Sequence, residues 1–393
     1  MSYQNLKTPR FYVDNTQWLN KIGAQKVHCA KAIDETEGIY EEQENSFLPA
    51  PLTEAMQLLY DDLGSNQAER ENNIKKIINL NPSSIVKFPS FDGDDNPRWI
   101  PFLFPHLNSL PINDDNTTNS YVALLGHNLA EVGMNYCYTY YSDNLGNTSS
   151  LHGGISNIVN NSQAMNMNGF NIFTINDSNI SNEQWSIIVL QNHILDGEPN
   201  TITGVPQIGC VSTGSYYDMP NSANLDLVFS EQYSPSKEIL TSEGISISNT
   251  LWSDAPKWGS LNAWELQYPG NSNPLPINRS GRRAWSLTFN HLANSDVFGS
   301  NQSLNDILYT ESLYDLSDID NGNFKRNILN DNNFFSQVWR KTLGNVLPFI
   351  FQPDNSNSNP DQFAICKFEE DSLKVSQSSH NIYEISLKIV EAW

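Results

Sequence analysis

The clearest pattern lies near the end of the chain, where Tyr383, Ile385, Leu387 and Ile389 alternate with Glu384, Ser386, Lys388 and Val390. A period of two sends alternate side chains to opposite faces of a pleated strand, so this segment predicts a half-buried strand with one polar face. Trp285, Leu287 and Phe289 alternate with Ser286 and Thr288 in the same way. Between them, Asn and Asp at 330–333 precede FFSQVWRKTLG, where Phe335, Val338, Trp339 and Leu343 recur at helical spacing. Asp or Asn can cap the start of such a helix, and Gly344 can take the left-handed position past its end. VLPFIF at 346–351 and FAICKF at 363–368 read as strands about a polar turn. Residues 282–393 thus predict a small α+β domain, one sheet with one helix across it.

Upstream, short apolar runs recur between turns of Asn, Asp, Gly and Ser: YVALLG at 121–126, MNYCYTYY at 134–141, FNIFTI at 170–175, WSIIVL at 185–190, QIGCVS at 207–212 and LDLVF at 225–229. Such spacing predicts an antiparallel β-sandwich over 83–235, with a Trp- and Pro-rich connection over 236–281. Residues 1–82 predict a strand at 8–14, a helical turn or two over TQWLNKIG, an acidic loop at 31–48, and two helices. The first helix begins at Pro51 with Met56, Leu59 and Leu63 on one face; the second spans 67–80 with Ile74, Ile77 and Ile78. The fold class is mainly β: a sandwich plus an α+β domain, with short N-terminal helices.

The 393 residues leave room for two or three domains, and aromatic residues at 11% are too many for a disordered chain. Charged residues are only 17%, which suits large weakly charged contact surfaces, although an AT-rich genome would also raise Asn and Ile. The formal net charge of −22 repels phosphate, so no specific nucleic acid is expected as a partner. No stretch approaches the ~18 apolar residues of a membrane span, and the first residues lack a signal-peptide pattern, so membrane insertion is not expected. Cys29, Cys137, Cys210 and Cys366 are far apart and predict reduced, buried thiols.

The chemistry is sparse. None of the seven His is paired at HExxH spacing, no GxSxG elbow or phosphate-cradling glycine loop is present, and GCVSTGS at 209–215 has the wrong spacing for a nucleophile. Carboxylates are too numerous, at 44, for any pair to signal glycoside hydrolysis. Asp92, Asp94 and Asp95, with Asn96, cluster hard oxygen ligands of the kind calcium takes, but their order departs from the EF-hand loop and an acidic turn is the simpler reading. Asp318-Ile-Asp320-Asn-Gly322 departs further. Tyr216, Tyr217, Trp252 and Trp258 could stack on sugar rings, although core or interface packing is the commoner fate of such residues. No catalytic residue and no cofactor are expected.

Two regions of the chain carry a resemblance. RRAWSLTFNHLANSDVF at 282–298, VWRKTLGNVLPFIFQPD at 338–354, FAICKF and the terminal YEISLKIVEAW together resemble the tube-like β-domain of phage distal and minor tail proteins, whose last strand ends on an acidic residue, here Glu391. YVALLGHNL from Tyr121 and QIGCVSTGSYYDMP from Gln207 resemble a galactose-binding-like sandwich of marine tailed-phage virion proteins, without the ligand residues of its lectin members. The resemblance implies a non-enzymatic tail-tip subunit of the virion, made in the host cytoplasm. Its expected partners are copies of itself in a ring and the tube, hub and fibre proteins. The expected subunit interface comprises Trp285, Phe349, Tyr383, Leu387 and Trp393, the last three on or next to the alternating C-terminal strand. A host-receptor module binding surface glycan is the alternative, and a polysaccharide-degrading enzyme a weaker third.

Overall fold

The computed structural model describes residues 7–21, 64–82, 84–88, 99–105, 118–142, 163–165, 169–177, 185–192, 201–232, 236–250, 282–298 and 332–392. The fold is mainly β and sandwich-like, as the alternation predicts. One antiparallel sheet of ten strands dominates. Its C-terminal part is built from β11 (Val228–Gln232), β14 (Arg282–Ala293), β18 (Ile382–Glu391), β16 (Ala364–Phe368) and β15 (Phe349–Gln352), side by side in that order. It continues through β1 (Arg10–Asp14) into β10 (Cys210–Asp218), β4 (Thr118–Leu125) and β7 (Phe170–Asp177), while β17 (Val375–Ser379) lies beside β18.

The place of β1 changes the domain picture. A boundary near residue 282 predicts two separate sheets, but β1 pairs with β10 through five residues on one side and with β15 through three on the other. The reason lies in its sequence. Phe11, Tyr12 and Val13 are all buried, so both faces of this short strand need a core. Phe11 packs edge-on to Phe334 and against Phe349 and Phe351, whereas Tyr12 meets Tyr121 and Tyr216 on the other face. One hydrophobic cluster therefore runs from Tyr121 and Phe170 to Leu387 and Ile389.

The second layer of the sandwich is a four-stranded sheet of β3 (Trp99–Pro105), β8 (Trp185–Gln191), β5 (Tyr136–Ser142) and β6 (Gln163–Ala164). Ile100, Phe102, Ile188 and Leu190 from this sheet share a core with Val122 and Leu124 of β4. Helix α2 (Gln67–Ile78) adds Ile74, Ile77 and Ile78 to that core, and the Asn66 side chain caps its start by accepting from the Glu69 N–H at 3.0 Å. Two short pairs complete the description: β2 (Val86–Lys87) with β9 (Gln207–Ile208), and the hairpin of β12 (Ser236–Leu240) and β13 (Ser246–Thr250).

The helix predicted across the C-terminal sheet is wider than an α-helix. Over Phe335–Trp339 it is a π-turn, in which the Arg340 N–H reaches the Phe335 carbonyl at 2.9 Å and the Gly344 N–H reaches that of Trp339 at 3.0 Å. The extra residue per turn rotates the buried face: Phe334, Gln337, Val338 and Lys341 point inward, and Phe335 and Leu343 are only half-buried. Asn333 caps the segment through the Ser336 N–H at 2.8 Å, and Gly344 takes the left-handed conformation with φ 67°. The predicted helix beginning at Pro51 and the loops at 31–48 and 251–281 lie outside the described residues.

Candidate functional site

Two places in this fold invite a functional reading: the polar joint around β1 and the open edge at β11. At the joint, Asp14 ends β1 and caps the short helix α1 (Asn15–Lys21), accepting from the Gln17 N–H at 2.8 Å. The Ser212 hydroxyl donates to its other oxygen at 2.8 Å, and Ser212 in turn lies 2.8 Å from the Tyr121 hydroxyl. Three strands and a helix thus meet on one buried carboxyl. Burial pushes that carboxyl up to about 7, against the pull of hydrogen bonds from Gln17, Ser212 and the Thr16 backbone. Beside it, Asn15 and Thr16 bury side-chain polar atoms that find no partner among the described residues.

On the opposite face of β10 sits Lys341. Its ammonium donates to Gln337 Oε1 at 2.8 Å and to Ser215 Oγ at 3.3 Å, and burial brings its pKa down to about 7. Asp14 and Lys341 match no catalytic motif, because the partners of each lie far off in the sequence or carry no charge. The available signals were local: a lone Asp between a β-run and Asn-Thr-Gln, and a Lys four residues after Gln337 on an inward helical face. Further along, His127 Nε2 meets Asn171 Oδ1 at 2.9 Å, and burial lowers the imidazole to about 4. Ser212 and Ser215 of the GCVSTGS segment are buried within β10 rather than raised on a turn.

Of the residues expected at a subunit interface, Trp285, Phe349, Tyr383 and Leu387 are buried inside the single chain. Their apolar surface is already withdrawn from water, so none is left for a neighbour, and the assignment is corrected to core. Strand β18 is likewise internal, with β14 on one side and β16 and β17 on the other. Trp393, Asp92, Asp94, Asp95, Trp252 and Trp258 lie outside the described residues. Tyr216 and Tyr217 are buried, so they offer no stacking platform for a sugar. Cys137, Cys210 and Cys366 are buried free thiols, each pushed up by burial. Among the described residues, no cluster of three or more His, Cys, Asp or Glu could hold a metal, and no helix is long and apolar enough to cross a membrane.

The edge at β11 is of another kind. Among the described strands it pairs with β14 alone, and all five of its residues are exposed. Val228 is 56% exposed, Phe229 55%, and the preceding Leu225 94%. Phe229 leans on Trp285, with ring centroids 5.8 Å apart, so the aromatic core runs out to the edge and stops in solvent. Edge strands are usually blunted by Lys, Pro or a bulge. The sequence Val-Phe-Ser-Glu-Gln carries only Glu231 for that purpose. No family model, curated protein or solved structure matches this chain.

Proposed function

We propose that this chain is a structural, non-catalytic subunit of a bacteriophage tail, of the distal-tail or minor-tail class, joined to copies of itself in a ring between the tube and the tip or fibre proteins. The observation that carries the reading is the β11 edge, which among the described strands pairs with β14 alone and exposes Val228 and Phe229, since a long sheet ending in apolar side chains is a template for joining another chain. The buried chemistry agrees with it. The ionisable groups at the centre of the fold are spent on holding strands together, and Ser212, Asp14 and Lys341 are closed off from any substrate. A net charge of −22 also suits a passage through which DNA must slide without sticking. Light scattering and negative-stain imaging of the full-length protein test the reading. Closed rings are the expected result, and a protein that stays monomeric at high concentration, with and without tail partners, overturns it.

A further inference from the structure

Strand β1 holds the two halves of the large sheet together, yet its last residue is a carboxylate shut in the core. Asp14 lies opposite Gly214 of β10 in the strand register. The groups that interact with it are Thr16 and Gln17 of α1, Ser212 and Cys210 of β10, and Tyr121 of β4, none of them a cation. Lys341, the cation that the π-helical segment packs on β10, bonds Ser215 on the other face of that strand. Arg10, four residues back on β1, is engaged by Asp218 through two bonds of 2.6 and 2.7 Å.

We propose that Asp14 is a proton-operated clasp: protonated, it holds β1 and α1 against β10, and loss of its proton to water loosens them. The acid form fits the closed joint, because Ser212 can turn its hydroxyl toward Tyr121 and accept the proton of Asp14. The anion fits less well. Its donors, the Gln17 and Thr16 N–H groups and the Ser212 hydroxyl, are all neutral, and a fully buried carboxylate with no cation beside it is driven toward water or toward its neutral form. The smallest movement that hydrates it is separation of α1 and the end of β1 from β10. That movement is favoured twice over: α1 has seven residues, too few to hold a helix by itself, and opening gives water to the unpartnered atoms of Asn15 and Thr16. The joint is therefore tight in acid and loose above neutrality, while β14 and β18 stay closed.

Hydrogen exchange of the full-length protein, corrected for the intrinsic effect of pH, reads this directly. Protection over residues 10–21 should fall at least tenfold between pH 5.5 and 8.5, with no such fall over 283–291 or 383–389. Asp14→Asn, which keeps the cap but cannot ionise, should hold protection at its acid level throughout. Should that variant fail to fold, Ser212→Ala serves: losing a donor to the carboxylate, it should move the midpoint of the change to higher pH. Protection that ignores pH, an equal fall in β14 and β18, an Asn variant that follows the wild type, or a carbon-detected titration of Asp14 centred near its ordinary value would each overturn the proposal.

Discussion

Arg283, at the start of β14, and Glu391, at the end of β18, form a buried ion pair with Nε and Oε1 2.8 Å apart. The other carboxylate oxygen accepts from the Arg283 backbone N–H at 2.6 Å, and the guanidinium also donates to the Phe363 carbonyl at 2.7 Å while lying over the Trp285 ring. One residue pair thereby fixes the register of the two longest strands and ties both to the start of β16. Removing one partner leaves the other charge buried and uncompensated, which costs about 3–5 kcal/mol. Glu391→Ala should lower the urea-unfolding free energy by that amount.

The strand that carries Glu391 also decides what truncation does. Deleting residues 383–393 removes an internal strand that β14, β16 and β17 all use. The shortened chain should lose its cooperative thermal transition altogether, and Leu387→Asp should come close to that by placing a charge in the core. A truncated chain that still melts cooperatively as a monomer would contradict the internal position of β18.

How much of this was legible beforehand differs from strand to strand. β14 and β18 show in the sequence because each has one wet face, and Ser286, Thr288, Ser386 and Lys388 mark it. The joining of the halves does not show. β1 is five residues long, and its role depends on which strands lie beside it some 200 and 340 residues further on, which no local periodicity records. The glycine at 214 is similarly silent, since its meaning is a contact. A Cβ there would stand 2.0 Å from the Val13 carbonyl oxygen and 2.7 Å from the Asn15 nitrogen. Both are backbone atoms, so neither can swing aside, and Gly214→Ala should cost about 3 kcal/mol in unfolding free energy.

The sandwich fragment 83–235 is a direct test of the joint. Cut away from β1, it keeps β10 but loses all five residues paired along one side of it, Asp14 beneath Ser212 included. Tyr121 and Tyr216 also lose Tyr12. The fragment, which the sequence alone would take for a free-standing domain, should show no cooperative melting transition in calorimetry. A sharp transition would mean that β1 is an accessory rather than a bridge.

Asp14 and His127 pull the pH dependence of stability in opposite directions. The Asp14 carboxyl titrates near 7 when folded and ~3.9 when unfolded, so the stability it confers is complete below ~4 and is lost as pH rises through about 7. The His127 imidazole titrates near 4 when folded and ~6.5 when unfolded, so its contribution is complete above ~6.5 and is lost as pH falls through about 4. Between those limits the two cancel, one proton for one. Asp14→Asn leaves His127 unopposed. Measured against the wild type, so that shared titrations drop out, its stability should fall by up to about 1.4 kcal/mol per pH unit on acidification from 6.5 to 4.5.

The assembly edge can be tested without touching the fold. Phe229 is 55% exposed and its β11 backbone is already paired with β14 from Val228↔Ser286 to Gln232↔Arg282, so a polar side chain at 229 gives up only part of one contact with Trp285. Phe229→Lys should lower the melting temperature little, since exposed positions away from caps and buried networks change stability by about 0.5 kcal/mol. Its effect on association should be large. A cation on an edge strand must be desolvated when a second strand arrives, and lysine at such positions is how monomeric sheets keep others away. If copies join through β11, the variant should remain monomeric in light scattering at concentrations where the wild type forms rings, with an unchanged circular dichroism spectrum. Lys367→Glu, on β16 in the middle of the sheet and half-buried, should assemble as before and serves as the control for a change of charge alone. Rings that form equally well from Phe229→Lys would move the contact away from this edge, because no interface could bury β11 and be indifferent to a lysine within it.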